Sequence, residues 1–228
     1  MTIQTLRLTV TQAAAALCGE FAVAQSTLPF TPEEKEAAYT AAIAKRSAAI
    51  VELLKLNDAA KSNKLHGVIV AQYRALQARD EAIDQMFKTL GRDAPDAATN
   101  RAAILQIVSK PLHDQFLARL SAELTPQQVE TVKDKMTYHK LEVTYKAYCE
   151  IVPNLTSSDK AMILAALKEA REEAIDGGSA DEKSAIFQKY KNQINARLGA
   201  QGFDVAKATK EWEARKAEAP TQPTPSPK

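Results

Sequence analysis

The chain has 228 residues, 45% of them hydrophobic, and its 30 basic and 28 acidic side chains leave a formal net charge of +2. That length supports one substantial core, and so small a net charge supplies no field of the size that nucleic acid or an anionic membrane surface needs, so neither is an expected partner. Only 7 glycines, in a body rich in Ala, Leu, Lys, Glu and Gln, favour helices and disfavour a turn-rich β sandwich.

Residues 1–24 read as a signal peptide: Arg7 is a thin basic start, Leu8 to Leu17 an apolar middle, and Ala22-Val23-Ala24 a small-x-small cleavage pattern. Cys18 follows Ala-Ala-Leu, like a lipoprotein site, but Leu17 stands where a small residue is wanted, so soluble export to the periplasm or beyond is the preferred expectation. Cleavage leaves Cys149 alone, without an intrachain disulfide partner. No run of about 18 apolar residues is present to span a bilayer.

Residues 25–217 are expected to form a single all-α domain of antiparallel helical hairpins, bundle-like, with six to seven helices. The first helix is predicted from about Pro32, launched by Thr31-Pro32-Glu33-Glu34, with Tyr39, Ile43, Ile50 and Leu54 on one stripe. The second, from about Asp58 to Leu90, places Leu65, Ile69, Tyr73, Leu76, Ile83 and Phe87 at steps of three and four, with Asp80 on the same seam. The short join at Lys55 to Asn57 suits an antiparallel hairpin. After a loop at 91–99, Asn100 is the expected cap of a third helix carrying Ile104, Val108, Leu112, Phe116 and Leu120, kinked at Pro111.

The clearest start in the chain is Leu124-Thr125-Pro126-Gln127-Gln128. There Thr125 caps, Pro126 takes the first turn, Gln128 closes a capping box, and Leu124 with Val129 forms a hydrophobic staple. This short fourth helix is predicted to end near Met136, and the helical period fails from Thr137 to Val143 before Thr144 to Ile151 resumes it. Thr156 starts the next helix, Gly177-Gly178 ends it, and Ser179 with Glu182 boxes the one after, whose buried face is Phe187, Tyr190, Ile194 and Leu198. A last helix from about Val205 carries Trp212. The prolines at 220, 223, 225 and 227 mark residues 218–228 as a disordered tail.

Metal and nucleophile motifs are sparse. His66, His113 and His139 are far apart and none has a second ligand at helical spacing, so neither a metal nor another cofactor is expected. Cys149, in an apolar and aromatic context, reads as a small buried hydrophobe. Tyr138, Tyr145 and Tyr148 cluster where the period fails, beside His139 and Lys140; tyrosine rings stack on sugar faces, and a neighbouring His or Lys can carry a proton. Arg171, Lys189 and Lys191 are the cations that could neutralise an acid. Arg46 and Asp80 interrupt apolar stripes, and are expected to meet across the first hairpin as a buried ion pair or, failing that, to line a polar pocket.

The runs Leu124 to Val129, Lys135-Met136-Thr137-Tyr138, Val143-Thr144-Tyr145-Lys146, Pro153-Asn154-Leu155-Thr156, Leu167 to Glu172 and Lys189-Tyr190-Lys191 together resemble a family of exported bacterial proteins of uncharacterised function. That family is associated with Bacteroidetes and related polysaccharide-degrading bacteria. The resemblance spans roughly residues 30 to 215; it departs at Asn192-Gln193-Ile194-Asn195, where the family pattern has a Gly-Arg-Ile-Asn type of sequence. It implies an exported accessory or binding protein working with carbohydrate. Leu124 to Gln128 is also similar to the Leu-Thr-x-x-Gln helix starts of periplasmic stress chaperones, which implies a second class: a cradle of helices binding unfolded protein partners. A third expectation is a carbohydrate-active lyase or hydrolase, with Tyr138 or His139 exchanging the proton and Arg171, Lys189 or Lys191 holding a carboxylate. Oligomeric state is not legible in the sequence.

Overall fold

A computed structural model describes residues 31–90 and 96–218. The expected signal peptide at 1–24 and most of the Pro-rich tail lie outside these residues. The described chain is all-helical, as composition predicts, and packs as eight helices: α1 Pro32–Leu53, α2 Ala59–Leu90, α3 Ala97–Ser121, α4 Pro126–Met136, α5 Lys140–Ile151, α6 Ser157–Ala174, α7 Ala180–Ala200 and α8 Val205–Glu218. Among them no helix is long and apolar enough to cross a membrane.

The launches are where the local chemistry places them. Thr31 with Glu34, Thr125 with Gln128, Thr156 with Asp159 and Ser179 with Glu182 all form reciprocal capping boxes. Asp58 Oδ1 accepts the Ala60 and Lys61 N–H groups at the start of α2. Each box satisfies two backbone donors that the helix leaves open, a contribution of about 1 kcal/mol. Leu124 and Val129, the staple residues, are both buried. The start of α3 differs: Asp96, without a side-chain cap bond, precedes Ala97, so Asn100 lies inside the first turn. The helix then runs through Pro111 to Ser121.

Two cores share the molecule. The first gathers α1 to α4 around Ile43, Ile50, Leu65, Ile69, Phe116, Leu120, Val132 and Met136; the second gathers α5 to α8 around Tyr148, Ile163, Leu167, Phe187, Ile194 and Leu198. Ile175, just past the end of α6, is fully buried and belongs to the first core, so the α6–α7 turn reaches across as a peg. Hairpin register follows from named pairs. Tyr39 Oη donates to the Tyr73 carbonyl at 3.0 Å in α1–α2, Arg79 Nη1 donates to Ser109 Oγ at 2.8 Å in α2–α3, and Lys189 pairs with Glu173 in α6–α7.

Three burial expectations need correction. Val108 is 38% exposed and its neighbour Ile107 73%, because the N-terminal half of α3 has little packed over it beyond α2. Cys149 is exposed, since Tyr148 takes the inward direction and the next residue lies about 100° further round the helix. On α2 the buried seam charge is Arg79, and Asp80 is its half-buried neighbour.

Candidate functional site

The α4–α5 connection is tighter than its lost period implies. Only Thr137, Tyr138 and His139 lie outside a helix, and α5 begins at Lys140. The Tyr138 N–H donates to the Lys135 carbonyl at 3.2 Å and the His139 N–H to the Asp134 carbonyl at 2.8 Å, the paired bonds of a Schellman cap. Thr137, fully buried, adds its hydroxyl to the Lys133 carbonyl at 2.9 Å. Such a cap wants a left-handed residue, usually glycine. Here Tyr138 and His139 take φ of 58° and 54° in succession. Left-handed backbone costs a residue with a Cβ about 1 kcal/mol or more, and Tyr138 remains 44% exposed, so its ring recovers little of that by packing.

Tyr138 lies within electrostatic reach of Tyr73, one of two tyrosines on the α1–α2 hairpin. Burial pushes the Tyr73 phenol up to about 12; the neighbouring Tyr138 phenol adds to the rise and the Arg46 charge opposes it. Tyr39, half-buried, is raised by burial and eased by the charges of Arg74 and Arg46. The Arg74 guanidinium lies 5.1 Å from the centre of the Tyr39 ring and is neutralised by Glu36 at 2.6 Å. Arg46, expected on the apolar stripe of α1, is exposed, because Ser47 takes the buried position between Ile43 and Ile50, and it meets no carboxylate at ion-pair distance among the described residues. The expected Arg46 and Asp80 pair is therefore not formed. The hairpin explains why: the His66 ring meets the Ala44 carbonyl at 3.2 Å, which sets Arg46 opposite the first half of α2, about four turns from Asp80. Asp80 instead takes Arg79 at 2.7 Å.

Arg171 stands behind the turn. Its side chain is 4% exposed and meets Glu130 and, at 2.5 Å, Asp134, whose carbonyl holds His139. Burial works against the Arg171 charge, but the two carboxylates outweigh it and raise its affinity for the proton. Lys133, nearly as buried, pairs with Glu130 and with Glu172 at 2.7 Å. The belt continues through His113, whose Nδ1 is 2.9 Å from Asp176, to Lys183, whose Nζ donates to the Ala174 carbonyl at 2.9 Å. This seam of charge separates the two cores.

The remaining candidates lie elsewhere. Lys189 is held by Glu173 and rides over the Tyr190 ring at 5.0 Å. Glu173 and Arg171 are two residues apart, on opposite sides of α6, so Lys189 does not share the Arg171 face. Tyr145 packs against the second core, where Tyr148 donates to Asn195 Oδ1 at 2.6 Å, and the Lys191 carbonyl lies 3.3 Å from the same hydroxyl. Thus Tyr138 and His139 share one surface with Arg171 beneath it, while Tyr145, Lys189 and Lys191 belong to the other half. Of the first-half tyrosines, Tyr73 is the one that Tyr138 reaches electrostatically. Among the described residues no group of three or more His, Cys, Asp or Glu side chains is arranged to hold a metal ion.

No curated protein matches the chain. Residues 40–217, most of the described fold with Tyr138 and His139 among them, match the model of a family of proteins of unknown function, DUF3826, and the chain belongs to that family.

Proposed function

We propose that the protein is an exported helical accessory protein that binds carbohydrate through the surface centred on Tyr138. The observation that carries this function is an exposed aromatic ring at a left-handed backbone position that glycine fills without strain. Outliers of this kind persist where the side chain has a use that offsets their cost. A tyrosine face accepts the C–H groups of a pyranose ring, and its hydroxyl exchanges hydrogen bonds with the sugar's own. His139 follows Tyr138 in the same turn, and Arg171 pairs with Asp134, whose carbonyl accepts the His139 N–H. The resemblance of the Leu124 to Lys191 motifs to exported proteins of polysaccharide-degrading bacteria supports the same function.

The test is a glycan array followed by titration calorimetry, with wild-type protein and the Tyr138→Ala variant. Wild type is expected to bind at least one polysaccharide class, and Tyr138→Ala to weaken that binding at least tenfold, about 1.4 kcal/mol, with an unchanged helical circular-dichroism spectrum. Equal binding by the two proteins, or no glycan bound by wild type, overturns the assignment.

A further inference from the structure

We infer that the open groove at the α7–α8 turn is a docking site for the chain's own proline-rich segment, residues 219–228, which straps α8 to the second half of the molecule. This does not rest on the carbohydrate reading. The turn is a helix cap: the Gly202 N–H donates to the Gly199 carbonyl and the Phe203 N–H to the Leu198 carbonyl, each at 3.0 Å, with Gly202 at φ 93°. Asp204 then launches α8 by accepting the Lys207 N–H at 2.9 Å. Between the two helices is left a groove of about 510 Å³, lined by Asn195, Gly199, Gly202, Phe203, Val205 and Thr209. A Cβ added at Gly199 would meet nothing within 4 Å, so another chain can approach the α7 backbone there. Among its described residues α8 buries only Ala208, while Val205, Thr209 and Trp212, on one side of the helix, stay half-buried.

Reach, composition and charge identify the occupant. With 14 residues, α8 is about 21 Å long. Residues 219–228 follow its last turn and, extended as polyproline II, span about 31 Å, enough to reverse and run back past Trp212 to Phe203. Pro220, Pro223, Pro225 and Pro227 restrict the segment to extended backbone, so docking orders little that is free, and segments of this kind bind grooves that offer aromatic rings. Phe203 and Trp212 supply the rings. The exposed Lys216 places its Nζ 4.1 Å from the centre of the Trp212 ring, so that ring face is reachable from solvent. Residues 219–228 carry no acid, and their one charged side chain, Lys228, arrives at the level of the exposed Asp204. Attachment at Glu218 makes the encounter intramolecular, which favours this segment over a free proline-rich partner.

Trp212 is the only tryptophan in the chain, so its emission reports on the groove. The test compares the full chain, a variant combining Pro220→Ser, Pro223→Ser, Pro225→Ser and Pro227→Ser, and Phe203→Ala, by tryptophan emission and by amide hydrogen exchange at residues 199–212. The four-proline variant is expected to shift the emission to the red and to exchange the α8 amides at least tenfold faster, with its helical circular-dichroism spectrum unchanged. A peptide of residues 219–228 added to that variant should restore both signals and saturate. Phe203→Ala should give the same shift, and the proline replacements should add nothing in its background. Identical emission and exchange in wild type and the four-proline variant overturn the inference. So does an unrelated proline-rich peptide that binds wild type as tightly as the four-proline variant, because the groove would then stand empty in the intact chain.

Discussion

Gly178 in the α6–α7 turn lies so close to Asp80 on α2 that a Cβ added to it would stand 1.9 Å from Asp80 Oδ2. The carboxylate cannot swing away freely, because Arg79 holds its other oxygen at 2.7 Å. The side-chain hydrogen of a glycine thus sets how closely the second half of the molecule seats on the first. Gly178→Ala is expected to destabilise the fold by about 1–3 kcal/mol, read from urea midpoints. The cost should shrink in an Asp80→Ala background, and an equal cost in both backgrounds would show that the contact is not the cause.

Tyr138→Gly separates the two roles of the turn. Glycine relieves the left-handed strain, so the unfolding free energy is expected to rise by about 1 kcal/mol while polysaccharide affinity is lost with the ring. A variant that is both less stable and less active would instead mean that the ring serves the core.

Arg171→Met leaves Glu130, Asp134 and Glu172 facing one another with Lys133 among them and His113 at the edge, 4.0 Å from Glu172. Removing one member of a buried ionic group costs about 3–5 kcal/mol, whereas replacing the whole group by apolar or neutral residues is often nearly neutral. Arg171→Met is accordingly expected to lower the thermal midpoint sharply, and Arg171→Met combined with Glu130→Gln and Asp134→Asn to recover most of the loss. Failure of the combined variant to recover would indicate that Arg171 acts mainly by packing.

Two titrating groups in the belt give stability opposite slopes with pH. The hydrogen bond to Asp176 raises His113 above its ordinary value of 6.5, and burial opposes that rise. A base favoured in the folded state contributes fully at pH values below 6.5 and loses that contribution as pH climbs through its raised value. Burial lowers Lys183 from 10.5 to about 8, so the unfolded chain binds the extra proton between those limits and stability gains from Lys183 as pH rises from 8 to 10.5. Denaturant unfolding across pH 5 to 10 should show His113→Gln without the decline above neutrality and Lys183→Met without the alkaline gain, each measured against wild type. Parallel curves for a variant and wild type would remove the corresponding group from the linkage.

The helix launches were legible because each is written in four or five adjacent residues, as at Thr125-Pro126-Gln127-Gln128. The end of α4 was legible only as a lost period, because its Schellman cap carries Tyr138 in place of the glycine that advertises such a cap. On α2 the step from Leu76 can be three or four; packing chose Arg79, and no local feature of the sequence decides between it and Asp80. The ionic belt was invisible for a different reason: Glu130 meets Arg171 and His113 meets Asp176 only after the second half has docked, and separations of this length leave no periodic trace.

Ile175 draws a mechanical consequence from that docking. As the single residue of the α6–α7 hairpin buried in the first core, it makes the filling of one half depend on the folding of the other. Neither half is a complete solid without its neighbour: α1 to α4 alone would carry a vacancy where Ile175 sits, and α5 to α8 alone would expose that side chain to water. The two halves should therefore melt in one transition, and a chain cut between Tyr138 and His139 should reassemble from its fragments as a lock and its bolt.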